Sequence, residues 1–425
     1  MGAQHRFEGA AQAPRERSVL SLTKYIPYPS VTHAGGQYLL AHDRALAEVA
    51  VFEQFAPDIP LNREALPLVG DGSAASLLDG ARLDGLALAC WRLESVWAGS
   101  AIYRPVRRLF SGDRAPWAKL EAADAIEFQW SEMIALAPLV RRRLPDAVLI
   151  GIAHDVITQR LERQLAGRMS ALKRALLRLA ATKSRRREAA SFAALDLLIV
   201  FSEKDASLAR GLSPGTRVEV VHPGLGPTSP LHRAPHAAEP IVLFTGAMNR
   251  PENWRGVLWF LDEIWPAVLA AVPSARFVIA GAKPPEALVA RVAATARAEL
   301  TGFVDSLEPY YAEASVFVAP LRAGAGVKFK TVDALLRGVP VVSTEVGAEG
   351  IDAPELFGAV VDDAPAFAEA VVRQLREPDE ALAQRAQRWA DGVYGIAAFE
   401  RRLRELYTDV IDDRAASRAE SRADD

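Results

Sequence analysis

Residues Val316–Gly350 read VFVAPLRAGAGVKFKTVDALLRGVPVVSTEVGAEG. The apolar run Ser315–Ala319 has the length and β-branched content of a buried strand, and Pro320 ends it. Gly324 and Gly326 follow, in a loop whose backbone can turn sharply and approach a ligand closely. The pattern from about Val327 to Leu336 predicts a helix closed by Gly338 and Pro340, and Val339–Ser343 predicts a return to the sheet. Strand, glycine loop and helix in this order build an anion site. The first N–H groups of the helix lack intrahelical partners, the dipole is positive there, and Lys328 and Lys330 add full charges. Asp333, about one turn further, has the chemistry to accept hydrogen bonds from hydroxyls such as those of a ribose. Taken alone, the stretch also reads as a glycine-rich turn with two solvated lysines.

The flanking sequence repeats the pattern. Strands are expected at Ile241–Thr245, Arg276–Ala280 and Thr301–Val304, with helices at Trp254–Ala271, Pro285–Ala298 and Leu307–Glu313 between them. Each strand ends in a loop bearing glycine, asparagine or charge. Such alternation predicts a parallel sheet covered on both faces, with its ligand-binding loops on the carboxyl edge. The first half opens similarly: strand Val19–Leu22, a Pro/Gly loop containing Gly35 and Gly36, then a helix over Gln37–Val49. Further strands are expected at Ala125–Phe128, Ala147–Gly151 (running into His154 and Asp155), Asp196–Phe201 and Arg217–Val221, while Pro57–Pro116 reads only as mixed α/β.

A chain of 425 residues is too long for one ordinary core. The Pro-, His- and Ala-rich segment 226–240 reads as a linker, which divides the chain into domains 18–225 and 241–393. Phe399, Leu403, Leu406 and Val410 mark an amphipathic helix over 394–411, and the lead 1–17 and tail 412–425 are expected to be disordered.

With a net charge of −3, no global feature points to nucleic acid. The single cysteine, Cys90, excludes an intramolecular disulfide and reads as a core residue. The seven histidines show no metal-ligand spacing, and no metal is expected. No apolar run approaches a bilayer span and the N-terminus lacks a signal-peptide core, so a cytoplasmic protein is expected. One long helix is expected over Thr158–Phe192. On it Arg160, Arg163, Arg174, Arg178 and Arg185 fall within roughly one sixth of a turn, and Leu161, Leu165, Leu172, Leu176 and Leu179 share a second arc. The favoured reading packs the leucines on the core and leaves the arginines in solvent. The alternative is peripheral contact with anionic lipid at the inner face of the plasma membrane.

Residues Val242–Ile351 resemble the nucleotide-sugar-binding domain of the retaining GT-B glycosyltransferases, the family 4-like group (glycosyl transferases group 1). The likeness rests on Thr245-Gly-Ala-Met248, Pro251-Glu-Asn253, Trp259-Phe260 with Ile264-Trp-Pro266, Ala280-Gly281 and Gly302-Phe-Val-Asp305. Tyr310-Tyr311, Val318-Ala-Pro-Leu-Arg322, Gly324-Ala-Gly-Val-Lys328, Lys330, Gly338-Val-Pro-Val-Val-Ser-Thr344 and Gly347-Ala-Glu-Gly-Ile351 continue it in order. The first half resembles the acceptor domain more weakly, through Gly35-Gly36, His154-Asp-Val156, Ser202-Glu-Lys-Asp205 and His222-Pro-Gly224.

The resemblance implies an α/β GT-B fold: two Rossmann-like domains facing each other across a cleft, with the C-terminal helix crossing back to the first. It implies a UDP- or GDP-linked sugar as substrate, no cofactor, and a glycan or lipid-linked acceptor, as in bacterial polysaccharide or glycoconjugate synthesis. By resemblance, Val304 lies against the base. Lys330 and Lys328, with the amides after Gly326, face the diphosphate, and Gly35 and Gly36 approach the same phosphates. His154 sits near the transferred sugar, so that His154 and Lys330 are the catalytic candidates. Asn253 occupies a family position, and Asp333 stands at the ribose-binding glutamate. Sugar transfer needs charge stabilisation of a leaving diphosphate, which a lysine pair and a helix start supply, and the chain contains no Asp-x-Asp motif.

Two positions depart from the family pattern. A glutamate pair eight residues apart reads here Ala325 and Asp333, and His222-Pro223-Gly224 stands where an asparagine is common. Other classes therefore remain in play: a catalytically idle GT-B scaffold that binds a partner, or a GT-B phosphorylase or epimerase.

Overall fold

The computed structural model describes residues 17–29, 31, 34–69, 74–80, 82–85, 88–90, 104–165, 170–225, 239–324 and 327–423. The chain forms two compact units. One holds the residues up to Val200, Ser207–Glu219 and the chain from Leu403 onward; the other holds Phe201–Ala206 and Val220–Arg402. The expected linker, 226–240, lies largely outside the described residues.

The first unit is built on strands β1 (Arg17–Leu22), β2 (Ala50–Pro57), β3 (Ala74–Leu78), β4 (Ala125–Gln129), β5 (Val148–Ala153), β6 (Leu197–Val200) and β7 (Arg217–Val220), in the order β3-β2-β1-β4-β5-β6-β7. Pairing from β3 through β6 is parallel. The order reverses between β1 and β4, the switch point at which open α/β sheets bind ligands outside their carboxyl ends. The loops after β1 and β4 carry Lys24 and Trp130 there.

The second unit has β8 (Ile241–Thr245), β9 (Arg276–Ala280), β10 (Ala298–Gly302), β11 (Ala314–Ala319), β12 (Val341–Ser343) and β13 (Ala359–Val360), in the parallel order β10-β9-β8-β11-β12-β13. Every residue of β8 and β11 is buried, as expected of strands covered on both faces. Alternating side chains feed two cores: Val242, Phe244, Val316 and Val318 pack with Phe260, Trp265 and Phe277, whereas Leu243 and Phe317 pack with Tyr311, Leu335 and Tyr394. The switch point lies between β8 and β11, so the loops starting at Gly246 and Pro320 meet at one carboxyl edge.

Several expected elements differ. The sequence pattern gave no strand over Ala50–Pro57, where Glu53 and Gln54 interrupt the apolar alternation; Gln54 is nevertheless buried and donates to Asp43 at 2.7 Å. The expected helix 254–271 has a π-helical stretch, Phe260–Ile264, just before Pro266, whose missing N–H leaves one carbonyl without its regular partner. The single helix expected over 158–192 is two, Ile157–Leu165 and Ala171–Phe192, packed against each other. The tail from Asp412, expected to be disordered, continues the helix Ile396–Ala423. Its Ala, Arg and Glu residues favour helix and no Gly or Pro stops it. Cys90, expected in the core, is exposed. Among the described residues, no helix is long and apolar enough to cross a membrane.

Candidate functional site

In the second unit, β8 ends at Thr245 and Gly246 takes φ 153°, a region that favours glycine. A Cβ there would lie 2.9 Å from Asn253 Nδ2 and 3.0 Å from Lys330 Cε, so only glycine lets those two side chains close over the strand end. At Gly281, after β9, a Cβ would overlap the Gly246 carbonyl. Asn253 is buried in the helix Pro251–Trp259. Its Nδ2 donates to the Ala247 carbonyl at 2.8 Å and its Oδ1 accepts from Lys330 Nζ at 2.9 Å, which fixes the amide orientation. Asn253 therefore holds the lysine and the glycine loop together.

Lys330 lies in the first turn of the helix Phe329–Leu336, whose preceding residue, Lys328, provides no side-chain cap. Burial pushes the Lys330 ammonium down to about 8, helped by the positive charges of Arg250 and Lys328. A lysine so destabilised as a cation gains more than an ordinary one from an arriving anion. Lys328 is buried and donates to Glu349 at 3.1 Å. Burial raises the Glu349 carboxyl, but Lys204 and Lys328 outweigh that and hold it below its ordinary value.

Asp333 points along its own helix. Its carboxylate accepts from Arg337 at 3.0 Å, while Arg337 also reaches Glu308 at 3.2 Å and lies 4.6 Å over the Tyr311 ring. Burial raises the Asp333 carboxyl and Arg337 opposes the rise. Val304 is half-buried just past β10, next to the exposed Phe303. Gly326 lies outside the described residues. Of the sequence-derived set in this unit, Asn253 and Lys330 are in direct contact, whereas Lys328 and Asp333 are each paired to another charge.

In the first unit, Gly35 and Gly36 fall inside the first turn of the helix Ala34–Ala47 rather than in the loop before it. His154 follows β5. Its Nε2 is 3.1 Å from Gln129 Oε1, its ring stacks on Trp130 at 4.3 Å and 14°, and Tyr38 meets it edge-on at 5.0 Å. Burial and the nearby His42 charge push the His154 imidazole down to about 3, so it is neutral at physiological pH. Trp130 has φ 70°, strained backbone for an aromatic residue, and this conformation presents its ring to His154.

Behind His154 lies a buried polar network. Gln129 Nε2 donates to Glu127 Oε1 at 2.8 Å, Ser21 Oγ donates to the same oxygen at 2.6 Å, and His42 Nε2 is 2.9 Å from Glu127 Oε2. The Tyr407 hydroxyl, on the C-terminal helix, also donates to Glu127. Burial opposes the charge on His42, but Glu127 and Asp43 outweigh it and hold the imidazole up to about 9. Sequence reasoning missed this network. Its one signal was Glu127 itself, an acid in the middle of the otherwise buried strand Ala125–Gln129.

The two parallel-sheet units define the GT-B fold. Three solved structures share it along most of their length: sucrose-phosphate synthase from Thermosynechococcus elongatus (17% identity, TM-score 0.63, covering 93% of this chain and 100% of that one), the Anabaena protein HepE in complex with UDP and glucose (14%, 0.58, 92% and 100%), and WaaG, a glycosyltransferase involved in lipopolysaccharide biosynthesis (14%, 0.57, 93% and 99%). Residues 239–377 match the family described as glycosyl transferases group 1. That segment contains Asn253, Val304, Lys328, Lys330 and Asp333. A Klebsiella pneumoniae protein described as an uncharacterized 44.6 kDa protein in cps region is 28% identical over 161 residues, which span 36% of this chain and 40% of that protein.

Proposed function

We propose that the protein is a glycosyltransferase that moves a sugar from a nucleoside-diphosphate donor, UDP- or GDP-linked, to a glycan or lipid-linked acceptor with retention of configuration. The observation that carries this reading is the Lys330 ammonium. It is desolvated, held by Asn253 over a glycine at the β8 strand end, and placed in the first turn of a helix inside the segment that matches the glycosyl transferases group 1. Such a group stabilises the charge that develops on a leaving diphosphate. In this reading Lys330 and Lys328 carry that charge without a metal. The Val304 backbone meets the base, Asp333 the ribose, Gly35 and Gly36 the phosphates, and His154 the transferred sugar. The polysaccharide setting is suggested by the likeness to WaaG and to the protein in cps region.

The test is a thermal-shift and donor-hydrolysis panel over UDP-, GDP-, ADP- and TDP-sugars. UDP or GDP should raise the melting temperature and Lys330→Ala should abolish the rise; no shift with any nucleoside diphosphate overturns the proposal. The Asp333–Arg337 pair favours a second reading, a scaffold that binds nucleotide without transferring sugar, because it engages a carboxylate otherwise available to the ribose. Binding without donor consumption across a broad acceptor screen would select it.

A further inference from the structure

The helix Ala171–Phe192 carries an apolar stripe on its outward side. Leu172, Leu176 and Leu179 are 72%, 43% and 68% exposed. At about 100° per residue the three fall within about 60° of arc. The opposite side of the helix is the packed one. Ala181, Ser184 and Glu188 are buried there, and Ala181 and Leu177 pack on Ile157, Leu161 and Leu165 of the preceding helix. The core-packed reading of the leucines thus holds for Leu161 and Leu165 and fails for the other three, which are three of the six exposed large aliphatic side chains among the described residues of this unit.

The charge on this helix has one sign. Its 22 residues include seven lysines and arginines and a single acid, Glu188. That acid is turned inward, where its carboxylate accepts from the Ile157 and Thr158 amides at 2.7 and 2.8 Å. Arg178, Lys183 and Arg186 are exposed, with Lys183 one turn beyond Leu179 on the leucine arc itself. Arg185 has a 3.6 Å contact to Glu162 on the neighbouring helix, and no acid on Ala171–Phe192 faces outward. A water-exposed helix needs no leucines on its outer face, and a protein-binding face would not ordinarily be fringed by cations alone. Exposed leucines ringed by basic side chains match the boundary between acyl chains and anionic headgroups.

We propose that the outer face of Ala171–Phe192 docks on an anionic lipid surface, with Leu172, Leu176 and Leu179 entering the headgroup boundary and Arg178, Lys183 and Arg186 meeting lipid phosphates. The proposal is independent of the donor reading, because its binding assay contains no nucleotide. The probe is sedimentation with phosphatidylcholine vesicles containing or lacking phosphatidylglycerol. At 0.1 M salt the protein should partition onto the anionic vesicles at least about 10-fold more than onto the neutral ones, with most of the difference lost at 0.5 M salt. The triple substitution Leu172→Ser, Leu176→Ser and Leu179→Ser, and separately Arg178→Glu with Lys183→Glu, should each lower the anionic partition at least about 10-fold while leaving the melting temperature unchanged. A second measurement needs no disruptive variant: an environment-sensitive dye on Leu176→Cys, in a Cys90→Ser background, should shift to the blue on anionic vesicles. Equal partition onto both vesicle types, or an unshifted dye, overturns the proposal. So does concentration-dependent dimerisation abolished by the leucine triple, which would assign the face to a second copy of the chain.

Discussion

Lys330 gives the sharpest test of the donor site, because burial has placed its titration inside an accessible pH range. In the ligand-free protein the ammonium titrates at about 8, against an ordinary 10.5. At pH 7 it is therefore about 90% charged and at pH 9 about 10% charged. A bound diphosphate supplies the opposite charge and draws the pKa back toward the ordinary value, so that the bound lysine stays charged across the range. Apparent affinity should then fall about tenfold between pH 7 and pH 9, or about 1.4 kcal/mol, with roughly 0.9 proton taken up on binding at pH 9 and roughly 0.5 at pH 8. The second phosphate ionisation, near about 6, is complete over this window. Isothermal titration of UDP or GDP in two buffers of different ionisation enthalpy reads both quantities. The same shift makes a stability prediction of opposite sign. A lysine with a depressed folded-state pKa destabilises the ligand-free fold at every pH below about 8, and the cost fades as pH rises toward the unfolded value. The shift corresponds to about 3 kcal/mol; allowing about 1 kcal/mol for the lost Asn253 hydrogen bond, Lys330→Met should stabilise the ligand-free protein by about 2 kcal/mol at pH 7 while weakening nucleotide binding. A pH-independent affinity in the wild type, or the same slope in Lys330→Met, would refute the assignment of Lys330 to the diphosphate.

His42 titrates the other way. Its raised pKa, about 9, stabilises the fold fully below about 6.5, and the contribution, on the order of 3 kcal/mol, is lost as pH rises to about 9. Urea denaturation at pH 6 and pH 9 should show a loss of stability at the higher pH that is larger in the wild type than in His42→Asn by about that amount. Asp333→Asn should weaken UDP binding about tenfold with a change in melting temperature of only a few degrees, whereas a purely structural Asp333 would lower the melting temperature and leave affinity unchanged. His154, neutral with a pKa of about 3, should contribute no limb to a pH–rate profile between pH 5 and 9; His154→Ala should lower kcat without altering the profile's shape.

The second unit was the more legible half for a physical reason. Its central strands are short, mostly apolar and separated by helices of ordinary length, so that Ile241–Thr245 and Arg276–Ala280 stand in the structure with the bounds the sequence suggests. The anion-site stretch also keeps its order of strand, loop and helix, with the helix beginning at Phe329. What the sequence could not carry was the pairing of its charges. Lys330 meets Asn253 across 77 positions, and Asp333 turns to Arg337 on the same helix, although the spacing equally allowed a ligand-facing carboxylate. The helix pattern over 158–192 misled because periodicity gives the arc a residue occupies and not which arc is covered. Leu161 and Leu179 read alike, yet the first is buried and the second exposed.

Glu127 links the C-terminal helix to His154 through hydrogen-bond direction. The Gln129 amide must turn its Nε2 toward the Glu127 carboxylate, which can only accept, and this leaves Oε1 facing His154. His154 Nε2 is therefore the protonated nitrogen, and Nδ1 carries the lone pair. The tautomer is decided two residues away, by a carboxylate kept ionised through His42, Ser21 and Tyr407. Tyr407 lies on the helix that begins at Ile396 in the second unit and continues from Leu403 in the first. A neutral imidazole of fixed tautomer and fixed stacking is suited to accepting a hydrogen bond from a hydroxyl at a set angle, and unsuited to shuttling protons. The buried charges thus belong to the orientation of His154 as much as to stability. That accounts for a fully buried carboxylate, costly in isolation, at the centre of a strand where an apolar residue would pack more simply.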